Sequence, residues 1–256
     1  MLSDLVAGAL ADAERRRAAR PLELVEAAAS DRSPALDALT ALQPAERVKI
    51  IAEVKRASPS RGTLAEISDP ASLAVSYETG GASAISVLTE ERRFNGSLAD
   101  LEAVRASVTL PVLRKDFIAE PYQVFEARAA GADIVLLIVA ALDQPTLQSL
   151  FDLSTSLGMA TLVETHSADE VSRALDIGAS LVGVNARNLS TFELDRDLFG
   201  ALADQIPSGV IRVAESAVKT AADVAHYRAS GADVVLVGEA LVTSDPVATL
   251  EEFLVV

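Results

Sequence analysis

The stretch with the clearest chemical potential is Lys49–Gly62, KIIAEVKRASPSRG. Ile50, Ile51 and Ala52 make a short apolar run of the kind a buried strand requires. Glu53 and Lys55 follow two residues apart, and on a strand residues i and i+2 point to the same side. An acid and a base therefore project together from the end of a hydrophobic strand. The SPSRG loop beyond them offers backbone donors and hydroxyls, Ser58 among them. Charged groups at the carboxyl end of a buried strand are where α/β proteins keep their chemistry, although an ordinary ion pair can stand there too.

Similar polar endings close other apolar runs. LTE ends one at Leu88, Thr89 and Glu90; LRKDF gives Lys115, Asp116 and Phe117; LVETH gives Glu164. GVNARNL gives Asn185 and Arg187, RVAES gives Glu215 and Ser216, and LVGEAL gives Gly238 and Glu239. If these ends converge, several carboxylates, Glu53, Glu164 and Glu215 among them, share one site with two lysines, an arginine and an amide. Burying that many charges is costly unless they meet a ligand. Packed lysines and acids also shift one another's pKa, which general acid–base catalysis exploits. Ser216, Ala217 and Gly238, ahead of short helices, suit a phosphate held by backbone N–H groups, with Arg187 and Lys55 adding positive charge. His166 is expected on the solvent side or as a cap, and His226 within an outer helix.

Positioning such a set calls for a regular frame, and the chain has one. Gly81-Ala-Ser-Ala-Ile-Ser-Val, Gly131-Ala-Asp-Ile-Val-Leu-Leu, Gly178-Ala-Ser-Leu-Val-Gly-Val and Gly231-Ala-Asp-Val-Val-Leu-Val repeat one theme, a helix-ending glycine followed by a buried strand. Their spacings of 50, 47 and 53 residues each hold two βα units. The intervening strands are expected at Lys49–Val54, Pro111–Arg114, Ala160–Glu164 and Val210–Ala214, with helices such as Pro121–Ala130, Ala168–Ile177 and Ala221–Ser230. Eight alternating units argue for a single α/β domain, a (β/α)8 TIM barrel over residues 49–256, with an open doubly wound sheet as the alternative. No GxGxxG follows any strand, which removes the main dinucleotide signature. Residues 1–48 read as an N-terminal helical extension, with a helix ending in the basic turn Arg15–Arg17 before Pro21 and a second near Leu22–Ala29. Having an apolar face and no core of its own, this extension is expected to pack on the barrel mouth.

Composition narrows the function. The 256 residues carry a net charge of −15, which argues against nucleic acid as a partner and requires a local basic pocket for any anionic substrate. The absence of cysteine excludes disulfides, thiolate metal sites and a cysteine nucleophile, and it fits a reducing cytoplasm. Two histidines cannot form a metal cluster by themselves. Asp4 and Asp12 interrupt the N-terminal apolar residues, so no signal peptide is expected. The longest apolar run, Ile134–Leu142, is too short to span a bilayer, so no membrane role is expected.

IAEVKRASPSRG, LTEERRFNGS, PVLRKDFI, ADIVLLIVAAL, GMATLVETH, GVNARNL, AESAV and VLVGEALV stand in this order between residues 51 and 242. Together they resemble the indole-3-glycerol phosphate synthase family. The resemblance implies a cytoplasmic (β/α)8 enzyme of tryptophan biosynthesis that uses no cofactor and no metal. It implies conversion of 1-(2-carboxyphenylamino)-1-deoxyribulose 5-phosphate to indole-3-glycerol phosphate with release of carbon dioxide and water. By position, Lys115 is similar to the general acid and Glu164 to the general base. Lys55 is similar to the lysine that pairs with substrate anions, and Glu53, Asn185 and Glu215 to their fixing partners. Ser216, Ala217, Gly238 and Glu239 fall on phosphate-binding turns. Ser58, Pro59, Phe94, Phe117, Leu136, Arg187, Leu189 and Leu236 fall on the substrate-binding wall, most of them around the anthranilate ring. The family usually has glycine where Ala217 stands, and many members have serine where Glu239 stands. Alanine is strained there if the turn needs a positive φ, and the Glu239 carboxylate should turn away from a phosphate. A monomer or weak oligomer is expected, with other tryptophan-pathway enzymes as potential neighbours. Two other readings remain: a barrel like phosphoribosylanthranilate isomerase, which implies a cysteine at the end of the first strand, and a non-catalytic barrel that binds a phosphorylated metabolite.

Overall fold

A computed structural model describes every residue except 60, 189, 190 and 192. Among the described residues, eight parallel strands close a barrel: β1 (Lys49–Val54), β2 (Ala84–Leu88), β3 (Val112–Lys115), β4 (Ile134–Ile138), β5 (Ala160–Thr165), β6 (Leu181–Asn185), β7 (Ile211–Glu215) and β8 (Val234–Val237). Each pairs with the next, and β1 returns to β8 through Ile50↔Val235 and Ile51↔Leu236. This is the expected (β/α)8 barrel. Two strands begin and end one residue later than the sequence pattern suggested, at Val112–Lys115 and Ile211–Glu215. Lys115 and Glu215 are thereby the last residues of their strands, not the first of a loop.

The two-residue period of a strand explains the continuous apolar runs. Alternate residues face opposite sides, and both sides are buried. Ile51, Leu113, Leu136, Leu162, Val213 and Leu236 fill the barrel interior. Ile50, Val112, Val135, Val163, Val182 and Val235 point outward against the helices. Gly131 shows how each helix hands over to the next strand: its φ of 97° is open to glycine, and its N–H bonds back to the Ala127 and Arg128 carbonyls. Gly81, Gly178 and Gly231 do the same with φ of 94°, 81° and 95°.

Residues 1–48 lie on three different faces. Helix α1 (Leu2–Ala19) lies against the mouth, with Leu5 and Ala9 joining the interior cluster. Its polar side is pinned by ion pairs. Arg92 donates to Asp12 at 2.8 and 2.7 Å, Arg16 donates to Glu126 at 2.6 and 2.9 Å, and Arg17 donates to Glu120 at 2.7 Å. The basic turn thus reaches carboxylates of the barrel as well as suiting a helix end. Helix α2 (Leu22–Ser30) packs Val25 and Ala29 against Tyr122 and Ala129 on the outer surface. Residues 31–48, with α3 (Ala38–Leu42), run along the opposite end of the barrel. There Arg32 donates to the Ala129 carbonyl at 2.8 Å, the Leu36 N–H donates to Asp133 at 2.8 Å, and Leu42 is wholly buried. Only α1 covers the mouth. An apolar helical face shows that a segment must be covered, not which surface covers it.

Candidate active site

At the carboxyl ends of the strands lies an open cleft of about 1150 Å³. Its lining includes Glu53, Lys55, Ser58, Pro59, Phe94, Lys115, Phe117, Leu136, Glu164, Asn185, Arg187, Glu215, Ser216, Ala217, Leu236, Gly238 and Glu239. One other expected wall residue, Leu189, lies outside the described residues. The barrel itself brings the set together, because every strand delivers its last inward-facing residue to the same mouth.

Lys115, at the end of β3, is the hub. Its Nζ donates to Glu215 Oε2 at 3.1 Å and to Glu164 Oε2 at 3.3 Å. Lys55 Nζ stands 2.6 Å from Glu53 Oε1. Burial opposes the charge on Lys115, but Glu215, Glu164 and Glu53 outweigh it and hold the ammonium above its usual range. Burial likewise pushes the Glu164 carboxyl up, yet Lys115, His166 and Asn185 hold it well below the usual carboxylate range. Glu215 goes the other way: burial, with the charge of Glu164 nearby, raises it despite Lys115. Two neighbouring carboxyls are thus pushed apart, one toward the ionised form and one toward the protonated form.

Two glycines make room for this cluster. A Cβ on Gly183 of β6 would come within 2.2 Å of Glu215 Oε1, and one on Gly238 within 2.5 Å of Glu53 Oε1. Neither carboxylate could keep its place beside alanine. Asn185 Oδ1 accepts from the Ser216 hydroxyl at 2.8 Å and from the Arg187 N–H at 3.0 Å, which ties β6 to the turn after β7. In that turn Ser216 and Ala217 have φ of 71° and 59°. Alanine therefore does stand in the left-handed region. Glu239 is drawn aside by Arg61, whose Nε donates to Oε1 at 3.1 Å, so its charge is directed toward a cation.

The apolar wall is formed by Phe94 and Phe117, with ring centres 6.2 Å apart, together with Leu136 and Leu236. Sequence reasoning missed Leu5 of α1, Leu194 and Lys219, which also line the cleft. It named Asp116 and Glu90 as strand-end groups, but both are engaged in structure. Asp116 accepts from Arg114 at 2.9 Å and from Thr89 at 2.6 Å, and Glu90 caps the helix Glu91–Phe94. His166 is not a solvent-side residue. Its ring is largely buried behind Glu164, with Nε2 3.4 Å from Glu164 Oε1. His226 lies on an outer helix, as expected, beside Asp197.

A barrel mouth with a caged ammonium, an ionised carboxylate, a polar turn and an aromatic wall suits acid–base chemistry on an anionic, ring-bearing substrate. Comparison with known proteins gives this chemistry a family. Residues 2–253 match the family model of indole-3-glycerol phosphate synthase. The chain is 77% identical over 253 residues to the indole-3-glycerol phosphate synthase of Leifsonia xyli subsp. xyli, covering 99% of this chain and 97% of that protein. It is 60% identical to that of Mycolicibacterium gilvum, covering 96% and 90%. Among solved structures, thiamine phosphate pyrophosphorylase from Pyrococcus furiosus superposes with a TM-score of 0.60 at 14% identity, covering 80% of this chain and 93% of that one. N-acetylmannosamine-6-phosphate 2-epimerase from Clostridium perfringens gives 0.59 at 14% identity, covering 75% and 86%; these two likenesses establish the fold alone. By its match to the family model along nearly the whole chain and its identity to these relatives, the chain belongs to the indole-3-glycerol phosphate synthase family.

Proposed function

We propose how the cleft divides the work of the carboxy-lyase reaction, in which 1-(2-carboxyphenylamino)-1-deoxyribulose 5-phosphate closes to indole-3-glycerol phosphate in tryptophan biosynthesis. The ring carbon bearing the carboxylate attacks the ribulose carbonyl. Lys115 gives a proton to the carbonyl oxygen as the new carbon–carbon bond forms. A forming alkoxide is basic enough to take a proton even from an ammonium held by carboxylates. Carbon dioxide then leaves, and its bonding electrons restore the benzene ring. Finally Lys115, reprotonated by Glu215, gives a proton to the new hydroxyl, which departs as water while Glu164 removes a proton from the five-membered ring, which becomes aromatic. The observation that carries this reading is the 3.3 Å contact between Lys115 and Glu164, a cation and an ionised carboxylate on separate strands of one buried mouth.

The remaining roles follow from chemistry and position. Lys55 and Arg187 face the substrate's anions, and Glu53 orients Lys55. Asn185 fixes Ser216, and the N–H groups of Ser216, Ala217, Gly238 and Glu239 hold the phosphate, with the Glu239 side chain kept aside by Arg61. Glu215, with its raised pKa, orients Lys115 and passes a proton back to it. Ser58, Pro59, Phe94, Phe117, Leu136 and Leu236 enclose the anthranilate. Residues 49–256 form the catalytic domain, and α1 of the extension completes the mouth. An isomerase-like barrel would need a cysteine after β1, where Lys55 stands. A mere binding barrel would have no use for the paired protonation states of Lys115 and Glu164. No helix among the described residues is long and apolar enough to cross a membrane. With the absence of cysteine, this supports a cytoplasmic enzyme. Exposed large apolar residues such as Leu24, Val75 and Leu194 lie on separate segments of the chain, which supports a monomer or weak oligomer.

Glu164→Gln tests the assignment, because it keeps shape and hydrogen bonding but removes the base. In rapid-quench single turnovers, substrate should be consumed faster than indole appears, with a non-aromatic intermediate accumulating. The chain has no tryptophan, so product fluorescence is read without background. Equal rates of substrate loss and product formation at the wild-type kcat would remove Glu164 from the mechanism.

A further inference from the structure

Each oxygen of Glu164 has a different neighbour. Oε2 accepts from Lys115, whereas Oε1 is buried and has no hydrogen-bond partner. The side-chain atom paired with it, at 3.4 Å, is His166 Nε2, which is itself buried and without a hydrogen-bond partner. Two lone buried polar atoms at this distance need only a small shift to bond. On the ring's other side, His166 Nδ1 is 3.2 Å from Glu170 Oε2, and the same oxygen accepts the His166 backbone N–H at 2.8 Å. Glu170 sits in the first turn of the helix Ala168–Asp176, where its own N–H bonds to the Ser167 hydroxyl. The imidazole is therefore fixed between a buried carboxylate facing the cleft and a second one behind it.

We propose that His166 is a positioning residue which, as an imidazolium, keeps Glu164 ionised and aimed after Lys115 has given up its proton. The need arises from the order of chemistry and rests on the roles assigned above to Lys115 and Glu164. Each time Lys115 protonates the substrate oxygen, its cation is gone until Glu215 returns a proton. Glu164, buried and beside Glu215, would then tend to capture a proton before the dehydration requires it. A second cation that takes no part in the transfer prevents this. The titratable groups facing Glu164 are Lys115 from β3, Glu215 from β7 and His166; those facing His166 are Glu164 and Glu170. Burial opposes the imidazolium, but its two carboxylates outweigh burial and push it up to about 10, so it stays charged across the neutral range.

The test compares wild type, His166→Gln and Glu170→Gln by kcat and KM from the lowest pH at which each stays folded up to about pH 9, because the limb to be read belongs to a carboxylate held below its usual range. Loss of the imidazolium raises the pKa of Glu164, so the acidic limb of kcat should move to higher pH. We expect a shift of about one unit or more in His166→Gln, a tenfold change in proton affinity, with KM within about twofold. Glu170→Gln leaves the ring in place but weakens its charge, so the limb should move the same way by less. Glu170→Gln also decides the matter if His166→Gln fails to fold. A lower kcat with an unmoved acidic limb in both variants would make His166 a structural residue and overturn the proposal, as would a wild-type profile. Failure of the underlying roles reads differently: Glu164→Gln would then turn over normally whatever the histidine variants do.

Discussion

The two ends of this barrel bury charge in opposite ways. At the bottom, Asp133 stands just before β4 with both oxygens engaged. Oδ1 accepts from the Leu36 N–H at 2.8 Å, and Oδ2 accepts from Arg105 at 2.6 Å and from the Val112 N–H at 2.9 Å. At the mouth, Glu53 Oε2, Glu164 Oε1 and Glu215 Oε1 are buried without a hydrogen-bond partner. The bottom carboxylate joins the extension, an outer helix and β3, so its bonds hold the fold. The mouth carboxylates have spare capacity, which is what a site awaiting a substrate must keep. A buried charge that is fully matched is a fastening, and one left partly unmatched is a tool.

The largest effect should separate those two roles. Lys115→Ala removes the proposed acid, so kcat should fall by about 10²–10⁴-fold, equivalent to about 3–5 kcal/mol of barrier. Its carboxylate neighbours can answer by taking up protons, so melting should change little. A normal melting curve and far-UV circular dichroism with less than a tenfold loss of kcat would remove Lys115 as the acid. Asp133→Asn is the mirror experiment at the bottom. It leaves Arg105 without its anion, at a cost of about 3 kcal/mol, the low end for a broken buried pair because Arg105 keeps some access to water. The expected readout is a Tm lower by about 6–12 °C at this chain length, with kcat and KM unchanged. A variant that kept its Tm and lost activity would break the contrast.

How much of this was legible before the structure follows from the kind of information each feature uses. The strands were legible because their two-sided burial leaves apolar runs, and the glycines at Gly81, Gly131, Gly178 and Gly231 mark their spacing. The converging polar set was legible for the same reason, since a strand's end is visible in sequence and the barrel does the rest. The one-residue offset of β3 and β7 was not, because an apolar run does not say where its last ladder bond falls. The distribution of residues 1–48 over three faces was not, because it depends on which surfaces the barrel leaves bare. His166 was misplaced because its neighbour Glu170 comes from the next helix. A signal was there: Ser167 and Glu170 have the S-x-x-E spacing of a capping box, which turns the glutamate back toward the residues before the helix.

Helix α1 sharpens the contrast between the ends. Leu5 lines the cleft, whereas Leu42 of α3 is wholly buried away from it. Deleting residues 1–19 takes the mouth cover and spares the bottom seal. KM should rise about tenfold, the equivalent of about 1.4 kcal/mol of binding, with a loss of Tm smaller than that of Asp133→Asn. A truncated enzyme with unchanged KM would mean that α1 does not help to hold the substrate.

The smallest predicted effect concerns backbone strain, where the two ends differ again. At the bottom the chain turns through positive φ at glycines, which adopt it freely. At the mouth it does so not only at Gly62 and Asn95 but also at Ser216 and Ala217, with φ of 71° and 59°. A side chain in the left-handed region costs about 1–2 kcal/mol. Ser216 has a use for its side chain, since its hydroxyl bonds to Asn185. Ala217 has only a methyl group and carries the strain with no such return. Ala217→Gly relieves it, but glycine also gives the unfolded chain more freedom, which takes back about 0.4–1 kcal/mol. The net should be a gain of about 0.5–1 kcal/mol, or roughly 1–4 °C in Tm at this size. The turn's N–H groups keep their directions in the substituted protein, so KM should stay within about twofold, far below the tenfold criterion for one pK-sized interaction. A fall in Tm would show that the methyl group packs favourably enough to outweigh the strain, and the mouth would then be no more strained than the bottom.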